Sequence, residues 1–387
     1  MSFKVAQRGI VPPFIVMDVM RDATALEAAG RSIIHIEVGQ PSTGLPKKAA
    51  ARVAELLSGS DPLGYTVAAG IPALAARISR YYADDYGVKI PADRIFGTIG
   101  SSAAFVLAFL TAFEAGDRVA LASPGYPAYR HILKSLGITP ELIRVDAATH
   151  YQLTVDHLKK LPQLPHGLII ASPANPTGSV VPLDEFKHLA QFCDQNGIRL
   201  ISDEIYHGIT YGPQVTVAAA LSESAIVVNS FSKYFSMTGW RMGWLVIPED
   251  LKRPMECLAQ NLFISPPTIA QYGALYAIDC KDELDANVAR YARNRAVLLK
   301  HLPELGFEKF APADGAFYIY ADVSALTDNA QDFCRRLLHE AGVALTPGID
   351  FDPYHGHQFV RFSFAGSTAD MEEACARLEK WRATAKR

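Results

Sequence analysis

Short apolar runs rich in valine, isoleucine and leucine recur along the chain, each followed by a polar turn and a helical pattern. Continuous apolar strands that alternate with helices are typical of a largely parallel sheet with helices on both faces. The runs that we predict as strands are residues 119–123, 168–172, 198–202, 225–229 and 243–247. The pattern therefore predicts an α/β fold.

The C-terminal part of the chain has a different order of elements. After a long helix near residues 284–301, strands at 317–322 and 359–363 alternate with helices at 330–341 and 368–383. This order is typical of a smaller α+β unit. We therefore expect a large domain over residues 46–285 and a small domain formed by residues 1–45 together with residues 286–387.

A charge-free segment of nineteen residues lies between Arg94 and Glu114. Its length is close to the ~20 residues that a membrane-spanning helix needs. Only residues 103–113 are apolar almost throughout, with Thr111 as the exception, which is the length of a buried core helix. We expect such a helix here and no membrane span.

The composition is that of a globular protein. Of the 387 residues, 49% are hydrophobic and 20% are charged, and the net charge is −3. A pI near 6.4 without a basic run argues against nucleic acid or an anionic membrane as the main partner. Five widely spaced cysteines without a Cys/His cluster predict no metal site, and together with an N-terminus lacking a convincing signal sequence they favour the cytoplasm.

Candidate chemistry follows the predicted strands directly. Ligands of open α/β sheets bind beyond the carboxyl ends of the strands. The groups at these positions are Tyr126, Asn175, Asp203 with Tyr206, and Lys233. Each alone has a simpler explanation as a turn former, a helix cap or a surface lysine, but together they predict one shared site.

Gly100, Ser101 and Ser102 run directly into the apolar helix. Hydroxyls and free N–H groups at a helix N-terminus can bind an anion such as phosphate, although they can equally be a simple helix cap. The segment is not G-x-G-x-x-G, so the dinucleotide-binding fingerprint is missing.

Residues 230–241, SFSKYFSMTGWR, resemble the lysine signature of the class I/II aminotransferases, which are pyridoxal-phosphate enzymes of fold type I. The resemblance extends over nearly the whole chain. It includes Gly39, Pro41, Tyr65, Gly70, Gly100, Asn175, Gly178, Asp203, Tyr206, Gly315, Tyr318 and Arg361.

The resemblance implies a role for each group at the strand ends. Lys233 would carry pyridoxal 5'-phosphate as a Schiff base and then move the Cα proton of the substrate. Asp203 would pair with the pyridinium nitrogen, Tyr206 and Asn175 would donate hydrogen bonds to the ring oxygen, and Tyr126 would lie over the ring.

The resemblance also implies how the phosphate and the substrate are held. The phosphate would contact Gly100, Ser101, Ser102, Ser230 and Arg241, together with Tyr65 from a partner subunit. The expected functional unit is therefore a homodimer. Arg361 would bind the α-carboxylate of the substrate, next to Gly39 and Asn175.

The substrate is less well defined by the sequence. The dicarboxylate-specific branch of the family has an arginine shortly before a proline pair, whereas residues 260–264 before Pro266 contain none. The apolar residues 10–16 either line the substrate entrance or hold the dimer together. We expect a neutral or aromatic amino acid, with aspartate left open. Asp352 stands where relatives commonly have glycine, which leaves the shape of that loop undefined.

Three functions are compatible with these motifs. The first is ping-pong transamination between an α-amino acid and a 2-oxo acid. The alternative enzyme is a pyridoxal-phosphate-dependent C–S or β-lyase of the same fold, which would use the same residues. A cofactor-sensing transcription regulator is the third, but the 45 residues before the large domain do not accommodate a basic helix-turn-helix.

Overall fold

The computed structural model describes residues 3–385. Its helices are α1 (Ile15–Ala28), α2 (Lys47–Ser58), α3 (Pro72–Tyr86), α4 (Gly100–Ala112), α5 (Pro127–Ser135), α6 (Val155–Lys159), α7 (Leu183–Asn196), α8 (Lys252–Leu262), α9 (Thr268–Ala277), α10 (Lys281–His301), α11 (Ala330–Arg336) and α12 (Thr368–Ala385). Its strands are β1 (Ile34–His35), β2 (Ile95–Thr98), β3 (Arg118–Ser123), β4 (Thr139–Arg144), β5 (Gly167–Ala171), β6 (Arg199–Asp203), β7 (Ile226–Ser230), β8 (Gly243–Val246), β9 (Tyr318–Asp322), β10 (Val343–Ala344), β11 (Thr346–Pro347) and β12 (Phe359–Ser363).

Seven strands form the main sheet in the order β2-β8-β7-β6-β5-β3-β4. Neighbouring strands are parallel except for β8, which runs antiparallel to β7 and β2. The connection between β7 and β8 contains a short 3-10 turn and no helix. Because a parallel pair needs a longer crossover connection, usually a helix, these two strands pair antiparallel. All five apolar runs lie in this sheet within one residue of their predicted ends.

The sequence did not predict the two edge strands, β2 and β4. Strand β2 is only four residues long and precedes the helix α4 so closely that it resembles a polar helix entry. Strand β4 contains Pro140 and mixes polar with apolar residues. Edge strands have one neighbour only, so they tolerate proline and need no continuous apolar run.

The predicted helix ends of α3 and α7 are present in the structure. Gly87 and Gly197 follow these helices with φ values of 67° and 66°. This left-handed conformation costs a glycine little, which explains why the helices stop there.

The charge-free segment forms the buried helix α4. It packs against α5, α8, β7 and β8, and much of its surface is in the apolar core. Within residues 3–385, no helix combines the length and apolarity that crossing a membrane requires.

Two small sheets lie in the remaining part of the chain. Strands β11, β12 and β9 form an antiparallel sheet in that order, and β1 pairs in parallel with β10. Helix α1 packs against β10 and β11, and α10 packs against α12. Because the N-terminal segment contacts the C-terminal elements, we keep the division into residues 46–285 and a small domain of residues 1–45 and 286–387 as a proposal.

The small domain has a core position that can be tested by mutation. Phe362 on β12 is fully buried and its ring lies edge-on to Phe307 at 5.2 Å. We expect Phe362→Ala to lower the free energy of unfolding by about 3–5 kcal/mol, because it removes apolar contacts and leaves a cavity. The exposed Leu57→Ala is the control and should change it by less than about 0.5 kcal/mol. Denaturant titration of both variants checks this, and similar losses for the two would contradict the assignment of this core.

Candidate active site

A cavity opens beyond the carboxyl ends of β5, β6 and β7 and has a volume of about 230 Å³. Its lining includes ten of the residues predicted from the sequence. They are Gly39, Ser101, Ser102, Tyr126, Asn175, Asp203, Tyr206, Lys233, Arg241 and Arg361. Three predicted residues, Gly100, Ser230 and Tyr65, do not line it.

Lys233 follows β7, and its half-buried side chain lines the cavity. Its Nζ donates a hydrogen bond to the backbone oxygen of Gly39 at 2.6 Å. Burial, together with the nearby Arg361 and Arg241, lowers the pKa of Lys233 to about 8, against the opposing effect of Asp203. A lysine with this pKa is neutral often enough near pH 8 to act as a nucleophile or as a base.

Asp203 ends β6 and is buried beside Lys233. Its Oδ2 accepts a hydrogen bond from the Tyr129 hydroxyl and its Oδ1 accepts one from the Ile205 amide at 3.1 Å. Burial raises the pKa of Asp203 to about 6. Because both donors are neutral, a cationic ring nitrogen would complete this environment, so the site fits a pyridinium ring.

The N-terminus of α4 forms the anion-binding end of the cavity. Ser101 and Ser102 line the cavity in the first turn, and Arg241 lies opposite them. A Cβ on Gly100 would stand 2.6 Å from Nη2 of Arg241, so only glycine allows this close approach. Free N–H groups, two hydroxyls and a guanidinium suit a phosphate group.

Ser230 and Tyr65 have different positions from the other predicted phosphate ligands. The Ser230 hydroxyl lies 2.9 Å from Oγ of Ser232 and 3.1 Å from the Met242 carbonyl, and it is Ser232 that reaches the cavity. Tyr65 is 84% exposed and lies outside the cavity of its own chain. A contact between Tyr65 and the phosphate would therefore require a second copy of the chain.

Arg361 on β12 is buried, with 2% of its surface exposed. Its Nη1 donates to Oδ1 of Asn175 at 2.9 Å and its Nη2 donates to the Glu37 carbonyl at 2.6 Å. The guanidinium carbon is 4.3 Å from the ring centre of Tyr318 and 4.6 Å from that of Phe351. The Nε is buried and has no hydrogen-bond partner among the described residues. This fixed, planar cation is suited to a carboxylate.

Gly39 leaves space for a pair of tyrosine hydroxyls. A Cβ at this position would overlap the hydroxyl of Tyr318, which lies 2.8 Å from the hydroxyl of Tyr206. The backbone carbonyl of Gly39 remains the acceptor for Lys233. Gly39 therefore allows Tyr318 and Lys233 to share a small space.

Several cavity residues had no assigned role in the sequence analysis. Tyr318 was only part of a motif, and Tyr129 and Ser232 were not singled out. A signal existed for Tyr129, because Tyr126 precedes helix α5 and residues three apart lie on one side of a helix. The two rings are indeed 5.3 Å apart.

The chain was compared with known families and structures. The family model "Aminotransferase class I and II" matches residues 31–378. The valine–pyruvate aminotransferase of Mycobacterium tuberculosis is 46% identical over 98% of this chain and 99% of its own length. A transaminase of Methanocaldococcus jannaschii that acts on (5-formylfuran-3-yl)methyl phosphate is 34% identical over 95% of this chain and 96% of its own. A crystal structure of an aminotransferase from Mycobacterium tuberculosis has a TM-score of 0.97 and 46% identity, covering 99% of this chain and all of its own. The predicted fold type is thereby confirmed.

The reactivity of Lys233 in the cofactor-free protein provides a direct test. An ordinary lysine is less than about 1% neutral at pH 8, whereas Lys233, with a pKa of about 8, is about half neutral. We expect reductive methylation at pH 8 to modify Lys233 at least about tenfold faster than the exposed Lys309. Peptide mass spectrometry after brief labelling measures both sites. Equal rates at the two sites would contradict a lowered pKa at Lys233.

Proposed function

The chain belongs to the class I and II aminotransferases, and we propose that it transfers the amino group of a small apolar amino acid to a 2-oxo acid with pyridoxal 5'-phosphate. The same site serves both half-reactions, so the first product leaves before the second substrate binds. The proposed substrate class is supported mainly by the cavity lining. Among the described residues, the lining has four charged side chains beside an apolar wall.

Pyridoxal 5'-phosphate supplies an aldehyde that bonds to amines and a ring that accepts electron density from the substrate α-carbon. Lys233 would hold the cofactor covalently and, once displaced by the substrate amine, move the Cα proton through its Nζ. Asp203, buried and supported by Tyr129, would keep the ring nitrogen protonated. Tyr206 and Asn175 would hydrogen-bond to the ring oxygen.

The remaining cofactor contacts follow from the cavity lining. Tyr126 would lie over the ring, and burial raises the pKa of its hydroxyl to about 12. Ser101, Ser102 and Arg241 would bind the phosphate. Gly100 would permit the approach of Arg241, and Ser230 would act by orienting Ser232 rather than by direct contact.

Substrate recognition would begin at Arg361. Its two terminal nitrogens already have the geometry of a fork, and its donors to Asn175 and Glu37 fix the guanidinium plane. The α-carboxylate of any amino acid substrate would bind there, near Gly39. This contact selects amino acids as a class and gives no preference among side chains.

The side chain of the substrate would meet an apolar wall, which we define as Phe14, Val16, Met17 and Val38. The cations that line the cavity are Lys233, Arg241 and Arg361, and each has a role above. No lining cation is left for a second carboxylate among the described residues. The proposal therefore favours neutral donors over aspartate, and the name of the valine–pyruvate relative supports the aliphatic choice.

A homodimer and a cytoplasmic location are parts of the same proposal. Tyr65 is 84% exposed in the isolated subunit, so it is accessible to a second copy of the chain. The partner subunit's Tyr65 would complete the phosphate site. All five cysteines are free thiols, which suits a reducing compartment. We propose small molecules as the partners, with neither nucleic acid nor membrane.

The substrate class is tested by adding single amino acids to the cofactor-loaded protein and recording its visible spectrum. We expect L-valine and similar aliphatic donors to convert the cofactor to its amine form, with kcat/KM about tenfold or more above that for L-aspartate, because a second carboxylate would lose its solvation without gaining a cation. A preference for aspartate would contradict the proposal. Release of ammonia and pyruvate from a β-substituted amino acid, without a 2-oxo acid acceptor, would indicate the lyase instead.

The role of Arg361 is tested by Arg361→Lys. We expect kcat/KM for the amino donor to fall about 10- to 100-fold, since a point charge replaces a fork that makes paired, charge-assisted hydrogen bonds. The dissociation constant of the cofactor should change less than about threefold. The exposed Arg253→Lys is the matched control and should leave both unchanged. Weaker cofactor binding with an unaltered KM would place Arg361 elsewhere in the mechanism.

A further inference from the structure

Helix α1 begins at the edge of the active-site cavity. Phe14 precedes its first turn, and Phe14, Val16 and Met17 all belong to the apolar wall. The first N–H groups of a helix have no partner within the helix, and Phe14 cannot cap them because it has no polar side-chain atom. The position of the apolar wall therefore depends on the acceptors outside the helix that bind these N–H groups.

Asp350 supplies the missing acceptors from a distant part of the sequence. Its Oδ1 accepts a hydrogen bond from the Ile15 amide at 3.3 Å and its Oδ2 accepts one from the Val16 amide at 3.3 Å. The two oxygens of this carboxylate thus cap α1. The negative charge of the carboxylate also interacts favourably with the positive end of the helix dipole. More than 330 residues separate the acid from the amides in the sequence.

The loop that carries Asp350 is tied to the rest of the active site. The Asp350 carbonyl accepts from Nη2 of Arg130 at 2.7 Å, and the Phe351 carbonyl accepts from the Gly125 amide at 3.1 Å. Gly125 directly precedes Tyr126, and the ring of Phe351 packs on Arg361. The loop therefore links the start of α1 to the segment of Tyr126 and to the carboxylate-binding arginine.

Burial raises the pKa of Asp350, while its hydrogen bonds from Val16 and Ile15 and the charges of Arg361 and Arg130 oppose this shift. The ionised carboxylate is consequently held at a desolvation cost, and it contributes less to overall stability than an exposed helix cap would. The hydrogen bonds from α1 to Asp350 most directly determine where α1 lies, and thereby where its residues stand in the apolar wall.

We propose that Asp350 is a positioning residue for substrate specificity, which fixes Phe14, Val16 and Met17 in the apolar wall by capping α1. Asp350 is not among the described residues that line the cavity, so it would act through α1. This inference rests on the proposed function, because it assigns to Asp350 the selection of the apolar side chain. Small donors with little side chain depend less on the wall than branched ones do.

The test compares Asp350→Ala and Asp350→Asn with the control Asp18→Asn. Asp18 lies in the first turn of the same helix but is exposed and pairs with Arg21 at 2.8 Å. The measured quantity is the ratio of kcat/KM for L-valine to that for L-alanine. We expect this ratio to fall about tenfold in Asp350→Ala, because valine has two more carbons that rely on the wall. Asp350→Asn should give a smaller fall, since its amide keeps one acceptor, and Asp18→Asn should give none.

A second measurement reports on α1 itself. Hydrogen exchange of the Ile15 and Val16 amides should become faster in both Asp350 variants and stay unchanged in Asp18→Asn. Faster exchange with an unchanged valine-to-alanine ratio would overturn the inference, and so would an unchanged exchange rate.

Failure of the proposed function has a different signature. It would appear in the unmutated protein as a preference for a donor outside the small apolar class. The same ratio, taken for that preferred donor against alanine, then decides the role of Asp350. A fall supports the positioning role, and no change overturns it.

Discussion

The site depends on one half-buried lysine in a cavity where positive charges outnumber negative charges. Lys233, Arg241 and Arg361 line the cavity with a single carboxylate, Asp203. Burial and the two arginines together lower the pKa of the lysine to about 8, so a much larger fraction of this amine is neutral near pH 8 than for an ordinary lysine. The remaining positive charge matches the two anions that an aminotransferase binds, the cofactor phosphate and the substrate carboxylate. The same electrostatic arrangement would therefore serve both the proposed activation of the lysine and the binding of its anionic reactants.

The end of strand β6 places only one of two adjacent acids in the cavity. Asp203 and Glu204 are adjacent and both fully buried, but only Asp203 lines the cavity. Glu204 directly follows β6 and instead accepts hydrogen bonds from Ser202 at 3.1 Å and from the Ala218 amide at 2.8 Å. Burial raises the pKa of Glu204 to about 8. Two acids that are adjacent in the sequence thus have different environments at the end of one strand.

The strand-end groups could be predicted from the sequence because they depend on local patterns. A run of apolar residues locates a strand, and the rule for open sheets then places Asn175, Asp203 and Lys233 at one edge. The choice between Ser230 and Ser232 was not predictable in this way, because it depends on how the chain turns after β7. Asp350 was beyond reach for a different reason, since its contact with α1 joins the two ends of the chain and no periodicity records such a pairing.

Asp352 shows how a departure from the family pattern can strengthen a site. Its Oδ1 accepts from the Ser123 hydroxyl at 3.0 Å and from the Tyr354 amide at 2.9 Å, so the acid ties its loop to the end of β3. Glycine has no side chain with which to make either bond. Asp350 lies two residues earlier, so Asp352 anchors the same loop that caps α1. The cavity is thus bounded by the sheet that precedes Lys233 and by a loop that connects this sheet to the N-terminal helix.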